Sequence, residues 1–190
     1  MVANATAEPW PAAGHVFTVD DLDWMPDDGR RYELLDGVLV VSPRPTTVHQ
    51  LVATRLATLL TGVSPADLCV VAEPAVQLSD VTEFDPDIVV VRAEDVGGAK
   101  FLTPPLLVVE VRSPSTALVD LNRKKAAYQG FGVASYWVVV PDLDGPELIV
   151  FELTDGHYQQ VAHARGEECF AARRPFPVQV IPAGLVVGLR

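Results

Sequence analysis

Helical spacing of apolar residues is clearest between residues 46 and 62, in TTVHQLVATRLATLLTG. Apolar side chains recur there at intervals of three and four, which places them on one face of a helix. A threonine before the first turn and a glycine after the last are typical of helix ends. Similar signals predict a short helix after Thr18, where Asp21 completes a capping box, and a longer helix from about Thr116 to Gly130.

Short runs of apolar and β-branched residues predict the strands of a sheet. The first two strands flank Asp36-Gly37, a dipeptide that favours a tight hairpin turn. The others are CVVAEPAVQL (69–78), PDIVVV (86–91), LLVVEV (106–111), SYWVVV (135–140), ELIVFEL (147–153), HYQQVAHA (157–164) and GLVVGL (184–189). Three of these runs are almost uniformly apolar, which is typical of strands covered on both faces. The pattern predicts an α/β fold of the mixed α+β kind, with helices flanking a central mixed sheet and an additional antiparallel β meander.

The composition fits a single domain. The chain has 190 residues, of which 49% are hydrophobic, and this suits one core. Residues 1–14 lack the features of a secretory signal and are predicted to be a flexible tail, with 15–190 as the domain. No apolar run approaches the roughly 20 residues that a membrane crossing needs. Cys69 and Cys169 lie 100 positions apart, which argues against a zinc or disulfide framework. From the cysteines we expect a cytoplasmic protein, and from the lack of a long apolar run we expect no membrane partner.

Two carboxylates stand out against the apolar strands. Asp87 opens the run IVVV, and Glu110 lies among apolar neighbours in LLVVEV. A buried carboxylate is costly unless it is paired or bound to a cation. Arg112, two residues along the same strand face, would make a plain structural ion pair with Glu110. Alternatively, the two carboxylates and a neighbouring backbone carbonyl form an oxygen-ligand site for Mg²⁺ or Mn²⁺, which would activate water against a phosphodiester.

The helix after Glu110 favours the second alternative. Its apolar stripe includes Lys124 at a position where leucine would be expected, so the ammonium is predicted to face the sheet and its carboxylates. Asp120, one turn earlier, would instead make Lys124 part of a helix-surface pair. Ser113 and Ser115 suit the turn and the N-cap of this helix better than a catalytic role.

These residues carry a resemblance to a known family. The matching positions are Pro86-Asp87, Glu110-Val111, the run SPST at 113–116, Asp120, Lys124, Tyr128, Gly132-Val133 and Tyr136-Trp137. In order and spacing they resemble the Uma-two family of predicted restriction endonucleases, a domain of unknown function within the PD-(D/E)XK superfamily. The resemblance runs from about Phe17 to Val140, and more loosely to the chain end. It implies a restriction-endonuclease-like core with a metal site where two strands diverge.

The resemblance also implies roles for single residues. Asp87 and Glu110 would be metal ligands, with the Val111 carbonyl completing the set. Arg112 occupies the usual lysine position of the superfamily, and since arginine stays protonated it cannot be a general base. It would hold the phosphate or else only balance the charge of Glu110. Lys124 would take over the lysine role, orienting water or stabilising charge on the phosphorus centre.

Two further positions carry both a functional and a structural interpretation. Glu33 matches an early acidic residue of the family and would bind a second metal or anchor the water, or else it is a strand-edge glutamate facing solvent. His49 would contact the scissile phosphate, or else it is a partly buried, hydrogen-bonded histidine. Asp85 and Glu73 are predicted to lie outside the metal shell, and Tyr128 and Trp137 to pack in the core.

The favoured function is a metal-dependent endonuclease acting on nucleic acid, with DNA as the expected substrate and Mg²⁺ or Mn²⁺ as the cofactor. The alternative is a nuclease-fold protein that no longer cleaves and acts as a binding or regulatory module. The net charge of −11 would repel a polyanion at long range, which favours this alternative or a protein partner that supplies DNA affinity. A homodimer would be the simplest way to cut both strands. Phosphate-loop, dinucleotide-binding, zinc-protease and serine-hydrolase motifs are missing from the sequence.

Overall fold

The computed structural model describes residues 14–112 and 118–189, and in the second range the side chains are described from residue 122 onward. The predicted tail at 1–14 therefore falls almost wholly outside the described residues. The expectations for Ser113 and Ser115 and for the side chain of Asp120 also fall outside them.

Four α-helices lie within the described residues. They are α1 Val19–Leu22, α2 Thr47–Val63, α3 Leu118–Phe131 and α4 Pro182–Val186. The predicted capping box at α1 is present, because the Thr18 backbone N–H donates to the Asp21 carboxylate at 2.8 Å. Thr46 caps α2 by accepting a hydrogen bond from the His49 N–H at 3.3 Å. None of the helices in the described part of the chain is long and apolar enough to cross a membrane.

Thirteen strands lie within the same residues. They are β1 Arg31–Leu35, β2 Val38–Ser42, β3 Leu68–Ala72, β4 Ala75–Ser79, β5 Thr82–Phe84, β6 Ile88–Arg92, β7 Lys100–Phe101, β8 Leu107–Val111, β9 Ser135–Val140, β10 Glu147–Thr154, β11 His157–Arg165, β12 Phe170–Ala172 and β13 Val178–Val180. They form a five-stranded sheet in the order β2-β1-β5-β4-β7, a six-stranded sheet in the order β11-β10-β9-β8-β6-β3, and a small β12-β13 pair. In the six-stranded sheet only β8 and β9 are parallel among the described pairs, so the predicted mixed sheet is confirmed.

The predicted hairpin is present between β1 and β2. Asp36 and Gly37 both have positive φ, 51° and 75°, as a type I′ turn requires. The strands pair without interruption from Arg31 opposite Ser42 to Leu35 opposite Val38. This fixes which side chains of β1 point toward the six-stranded sheet.

Two sequence predictions of strands differ from the structure. The run 69–78 is broken at Glu73-Pro74, where Glu73 has φ 50°, and its halves β3 and β4 join different sheets. The prediction of a C-terminal strand at 184–189 is wrong, because residues 182–186 form helix α4. A proline at the first helical position favours the helix, and an apolar run this short does not distinguish helix from strand.

The six-stranded sheet is covered on both faces. One face packs against Val52, Leu56 and Leu60 of α2, together with α4 and the small strand pair. The other face packs against Tyr128 of α3 and against Leu35, Val76 and Phe84 of the five-stranded sheet. The ends of β6 and β8 therefore lie where α2, α3 and β1 come together.

Candidate active site

Asp87 and Glu110 lie opposite each other at the ends of neighbouring strands. In the antiparallel pair β6–β8, Ile88 faces Val109, so the next residues outward, Asp87 and Glu110, face each other. Both are buried, at 1% and 6% exposure. The structure thus brings together the two carboxylates that the sequence singled out as metal ligands.

Hydrogen-bond donors surround Asp87. Its Oδ2 accepts from the Val111 N–H at 2.6 Å and lies 3.1 Å from His49 Nε2. Burial raises the pKa of Asp87, but the hydrogen bonds from His49 and Val111 and the charge of Arg31 outweigh it and hold the pKa below its usual value. Asp87 is therefore ionised at neutral pH.

His49 contacts Asp87 from the first turn of α2. Burial lowers the pKa of His49, whereas the hydrogen bond and charge of Asp87 and the Val111 carbonyl raise it, so that the net shift is upward. Only 5% of the residue is exposed. In this position His49 orients Asp87, and its predicted contact with a phosphate stays a prediction.

Lys124 points inward from α3, as the helical pattern predicts. Its Nζ lies 2.7 Å from Glu33 Oε1 and 3.3 Å from Glu110 Oε1. Glu33 itself is 3% exposed and also accepts from the Asp85 N–H at 3.0 Å. The structure therefore places Glu33 in the interior rather than facing solvent, as the anchor of Lys124.

The negative charge of Glu110 is less well compensated by its surroundings than that of Asp87. Burial raises its pKa to about 7, because Lys124 and the Tyr128 hydroxyl offset only part of the burial and of the repulsion from Asp87 and Glu33. Tyr128 donates to Glu110 Oε1 at 2.9 Å. The role of Tyr128 thus exceeds the core packing predicted from sequence, and its spacing of four residues from Lys124 was the available signal.

Arg31 also belongs to the site, although the sequence pattern did not predict it. Its Nη1 contacts the Asp85 carbonyl at 3.2 Å and Asp87 Oδ1 at 3.4 Å, and its Nη2 contacts Glu73 Oε1 at 3.0 Å. Burial lowers the pKa of Arg31, but the surrounding carboxylates raise it by more, so that the net shift is upward. The signal for Arg31 was its position two residues before Glu33, on the same face of β1.

The remaining candidates lie around this centre. Burial and Glu33 raise the pKa of Asp85 to about 6, against the charges of Arg31 and Lys124. Glu73 lies at the outer side of Arg31. Among the described residues Arg112 makes no salt bridge with Glu110; its backbone N–H donates to the Val139 carbonyl at 2.7 Å. The structural ion pair that competed with the metal interpretation is therefore not formed there.

The donor set fits a hard divalent cation. Two carboxylates face each other, and burial with repulsion from Asp87 and Glu33 raises the pKa of Glu110 to about 7 despite the charge of Lys124. No group of three or more His, Cys, Asp or Glu side chains in the described residues has an arrangement that could hold a metal ion. With Asp87 and Glu110 as its side-chain ligands, a cation here would need water to complete its shell, which Mg²⁺ tolerates because it retains several waters.

Fold and site define a protein of the restriction-endonuclease-like class, with facing carboxylates at the ends of neighbouring strands and a lysine supplied by the adjoining helix. The chain belongs to the Uma2 family, described as "Putative restriction endonuclease", whose profile matches residues 19–184. The chain is similar to the uncharacterized protein slr1290 of Synechocystis sp., with 26% identity over 132 residues, 67% of this chain and 68% of that protein. The fold is similar to the crystal structure of a putative nuclease of DUF820 from Anabaena variabilis. That comparison gives a TM-score of 0.65 and 17% identity, and it covers 80% of this chain and 85% of the other.

Proposed function

We propose that this protein is a metal-dependent nuclease that hydrolyses phosphodiester bonds of nucleic acid, with DNA as the expected substrate. The observation that carries the proposal is the pair Asp87–Glu110, buried and facing, with the Lys124 ammonium 3.3 Å from Glu110. Membership of the Uma2 family supports the same reaction class. A pair that served only to hold the fold would be simpler to replace by apolar residues, since buried charges seldom add net stability.

Asp87, Glu110 and the Val111 carbonyl would hold Mg²⁺ or Mn²⁺. When bound, such a cation polarises a phosphodiester and makes a coordinated water more acidic. The Val111 N–H and His49 keep Asp87 ionised and fix its orientation. Glu33 Oε1 holds the Lys124 Nζ at 2.7 Å. The positive charge of Lys124 is then available where negative charge develops on the phosphorus centre.

The second candidate is a nuclease-fold module that binds without cleaving. The net charge of −11 favours it, because long-range repulsion weakens association with a polyanion. A protein partner that supplies DNA affinity would reconcile that charge with catalysis. A homodimer remains the simplest arrangement for cutting a duplex.

The experiment that tests the proposal is calorimetric titration of Mn²⁺ into wild-type protein and into Asp87→Asn and Glu110→Gln. These substitutions keep the side-chain shape and remove the charge. Asp95→Asn is a matched control, since Asp95 lies beyond the far end of β6 and pairs with Arg92 at the surface. Circular dichroism of each variant verifies folding.

We expect Mn²⁺ binding in wild-type protein and in Asp95→Asn, and none in the other two variants. Incubation with plasmid DNA, single-stranded DNA and RNA in Mg²⁺ or Mn²⁺ should then show cleavage that both site substitutions abolish. Metal binding without cleavage of any substrate would favour the binding module. Absence of metal binding, even with short DNA present, would overturn the proposed metal site.

A further inference from the structure

The site has to accept a phosphate although its acidic groups outnumber its basic ones. Five carboxylates surround the centre, those of Glu33, Glu73, Asp85, Asp87 and Glu110, against the cations Arg31 and Lys124 and the His49 ring. A phosphodiester entering such a site needs at least one cation that it can reach.

The three basic groups differ in how accessible they are. The side chains of Lys124 and His49 are each only 7% exposed, and each is held against carboxylates that are equally buried. The Arg31 side chain is 19% exposed, and the Glu73 carboxylate on its outer side belongs to a side chain that is 57% exposed. Among these three, Arg31 is the one a solvent-borne anion can reach by displacing a single exposed side chain.

The contacts of Arg31 are divided between the interior and the surface. Nη1 faces inward to the Asp85 carbonyl and to Asp87 Oδ1, whereas Nη2 faces outward to Glu73 Oε1. A guanidinium presents its donors in a planar fork that suits carboxylate and phosphate oxygens equally. Nη2 can therefore exchange the Glu73 carboxylate for a phosphate oxygen while Nη1 stays beside Asp87.

The Glu73 carboxylate can readily be displaced from Arg31 by a phosphate. Its backbone is fixed, because its N–H donates to the Asp87 carbonyl at 3.1 Å and its φ is 50°. Its side chain extends to the surface, where an ion pair contributes little stability and is readily broken. The carboxylate thus stays near Arg31 but is held there weakly.

We propose that Arg31 is the phosphate-binding residue of the active site, and that the Glu73 carboxylate occupies the position of a nucleic-acid phosphate until the substrate displaces it. This inference rests on the proposed function and specifies how the substrate is held. Binding at Arg31 places the phosphodiester beside Asp87. Glu73 disfavours every anion that does not compete effectively for the guanidinium.

The test is binding of a fluorescein-labelled 20-nucleotide DNA, single-stranded and duplex, followed by anisotropy without divalent metal and at low salt. The variants are Glu73→Gln and Arg31→Lys. The lysine substitution keeps the positive charge and lowers the risk of misfolding. The controls are Glu94→Gln and Arg92→Lys, which make the same two kinds of substitution near the far end of β6. Those two residues are exposed, and five strand positions separate Arg92 from Asp87, roughly 16 Å.

We expect Glu73→Gln to bind the oligonucleotide about two- to fivefold more tightly than wild type, the factor that corresponds to one surface ion pair. Glu94→Gln should change affinity clearly less, because it alters only the long-range field. Arg31→Lys should bind at least about fivefold more weakly, because lysine loses the planar fork. Arg92→Lys should bind nearly as wild type does.

Equal tightening by Glu73→Gln and Glu94→Gln would overturn the inference, as would the absence of binding by any variant. Cleavage in Mn²⁺, measured in parallel, judges the proposed function separately. If wild type cleaves DNA but Glu73→Gln and Glu94→Gln change the oligonucleotide affinity equally, the protein is a nuclease in which Arg31 does not bind the phosphate. The expected binding pattern without cleavage under any divalent metal keeps that role and makes the protein a binding module.

Discussion

The two facing carboxylates have opposite pKa shifts although they are neighbours. The pKa of Asp87 is lowered, despite its burial, by donors from His49 and Val111, whereas burial raises the pKa of Glu110 to about 7. Environments that separate the pKa values of a pair are characteristic of sites that carry out acid–base chemistry. At neutral pH the pair therefore carries between one and two negative charges, and a bound cation would favour the fully ionised form.

This shift predicts a pH dependence of stability in the metal-free protein. The folded pKa of Glu110 is about 7 and its ordinary value is 4.5, so its stabilising contribution is complete below pH 4.5 and is lost as pH rises through 7. Relative to Glu110→Gln, wild type should lose stability between pH 5 and 8, and excess Mn²⁺ should reverse the loss. Urea denaturation at a series of pH values measures this. Parallel stability curves for the two proteins would contradict it.

The sequence reveals site residues where a charge interrupts an apolar pattern. Asp87, Glu110 and Lys124 each do so, and the structure brings the three together. Arg31 does not, because RYELL reads as an ordinary half-exposed strand. Its partners Glu73 and Asp87 lie 42 and 56 positions away, and no local pattern contains a contact over such a separation.

At the scale of elements, the hairpin and helices α2 and α3 could be predicted because turn chemistry and periodicity are local. The change of sheet at Glu73-Pro74 could not, because both halves of 69–78 have strand-like composition. The chain returns to the six-stranded sheet between β5 and β6, just before Asp87. Glu73 and Asp87 therefore lie on two of the segments where the chain passes between these sheets, and Arg31 contacts both.

The hairpin turn before β2 should be sensitive to substitution. Gly37 has φ 75°, and a Cβ there would lie 2.4 Å from Val16 Cγ1. Gly37→Ala should lower the free energy of unfolding by about 1–3 kcal/mol. Gly130→Ala is the control, because Gly130 lies in α3 with open space around it and alanine should stabilise a helix by up to about 1 kcal/mol. Urea denaturation compares the two, and an equal effect of both substitutions would refute the expectation.

At the scale of the whole molecule, the candidate active site joins the two large sheets. Glu33 of the five-stranded sheet and Glu110 of the six-stranded sheet both contact Lys124. Arg31, from the same strand as Glu33, contacts Asp87. The geometry of the site and the packing of the sheets therefore depend on the same side chains.

Removing the lysine should accordingly destabilise the whole fold. Lys124→Met leaves Glu33 and Glu110 buried without their shared cation, and we expect a loss of about 3–5 kcal/mol at pH 7.5. Lys125→Met is the matched control, because Lys125 lies over the Phe151 ring at 4.5 Å and its loss should cost about 1 kcal/mol or less. Tryptophan fluorescence, to which the buried Trp137 contributes, and far-ultraviolet circular dichroism should report one common transition. Similar losses in both variants would contradict this linking role.

The pairing of β1 with β2 has a consequence for how the chain can vary. Arg31 and Glu33 reach the site because they lie two residues apart on one face of β1, while Tyr32 bonds to Asp28 at the surface. A one-residue slip of β1 against its neighbours β2 and β5 would present Tyr32 and Leu34 to the site instead. The strand can thus change the residues of its outer face but not its length, so inserting a single codon within β1 would turn charged groups away from the site although neither Arg31 nor Glu33 had been replaced.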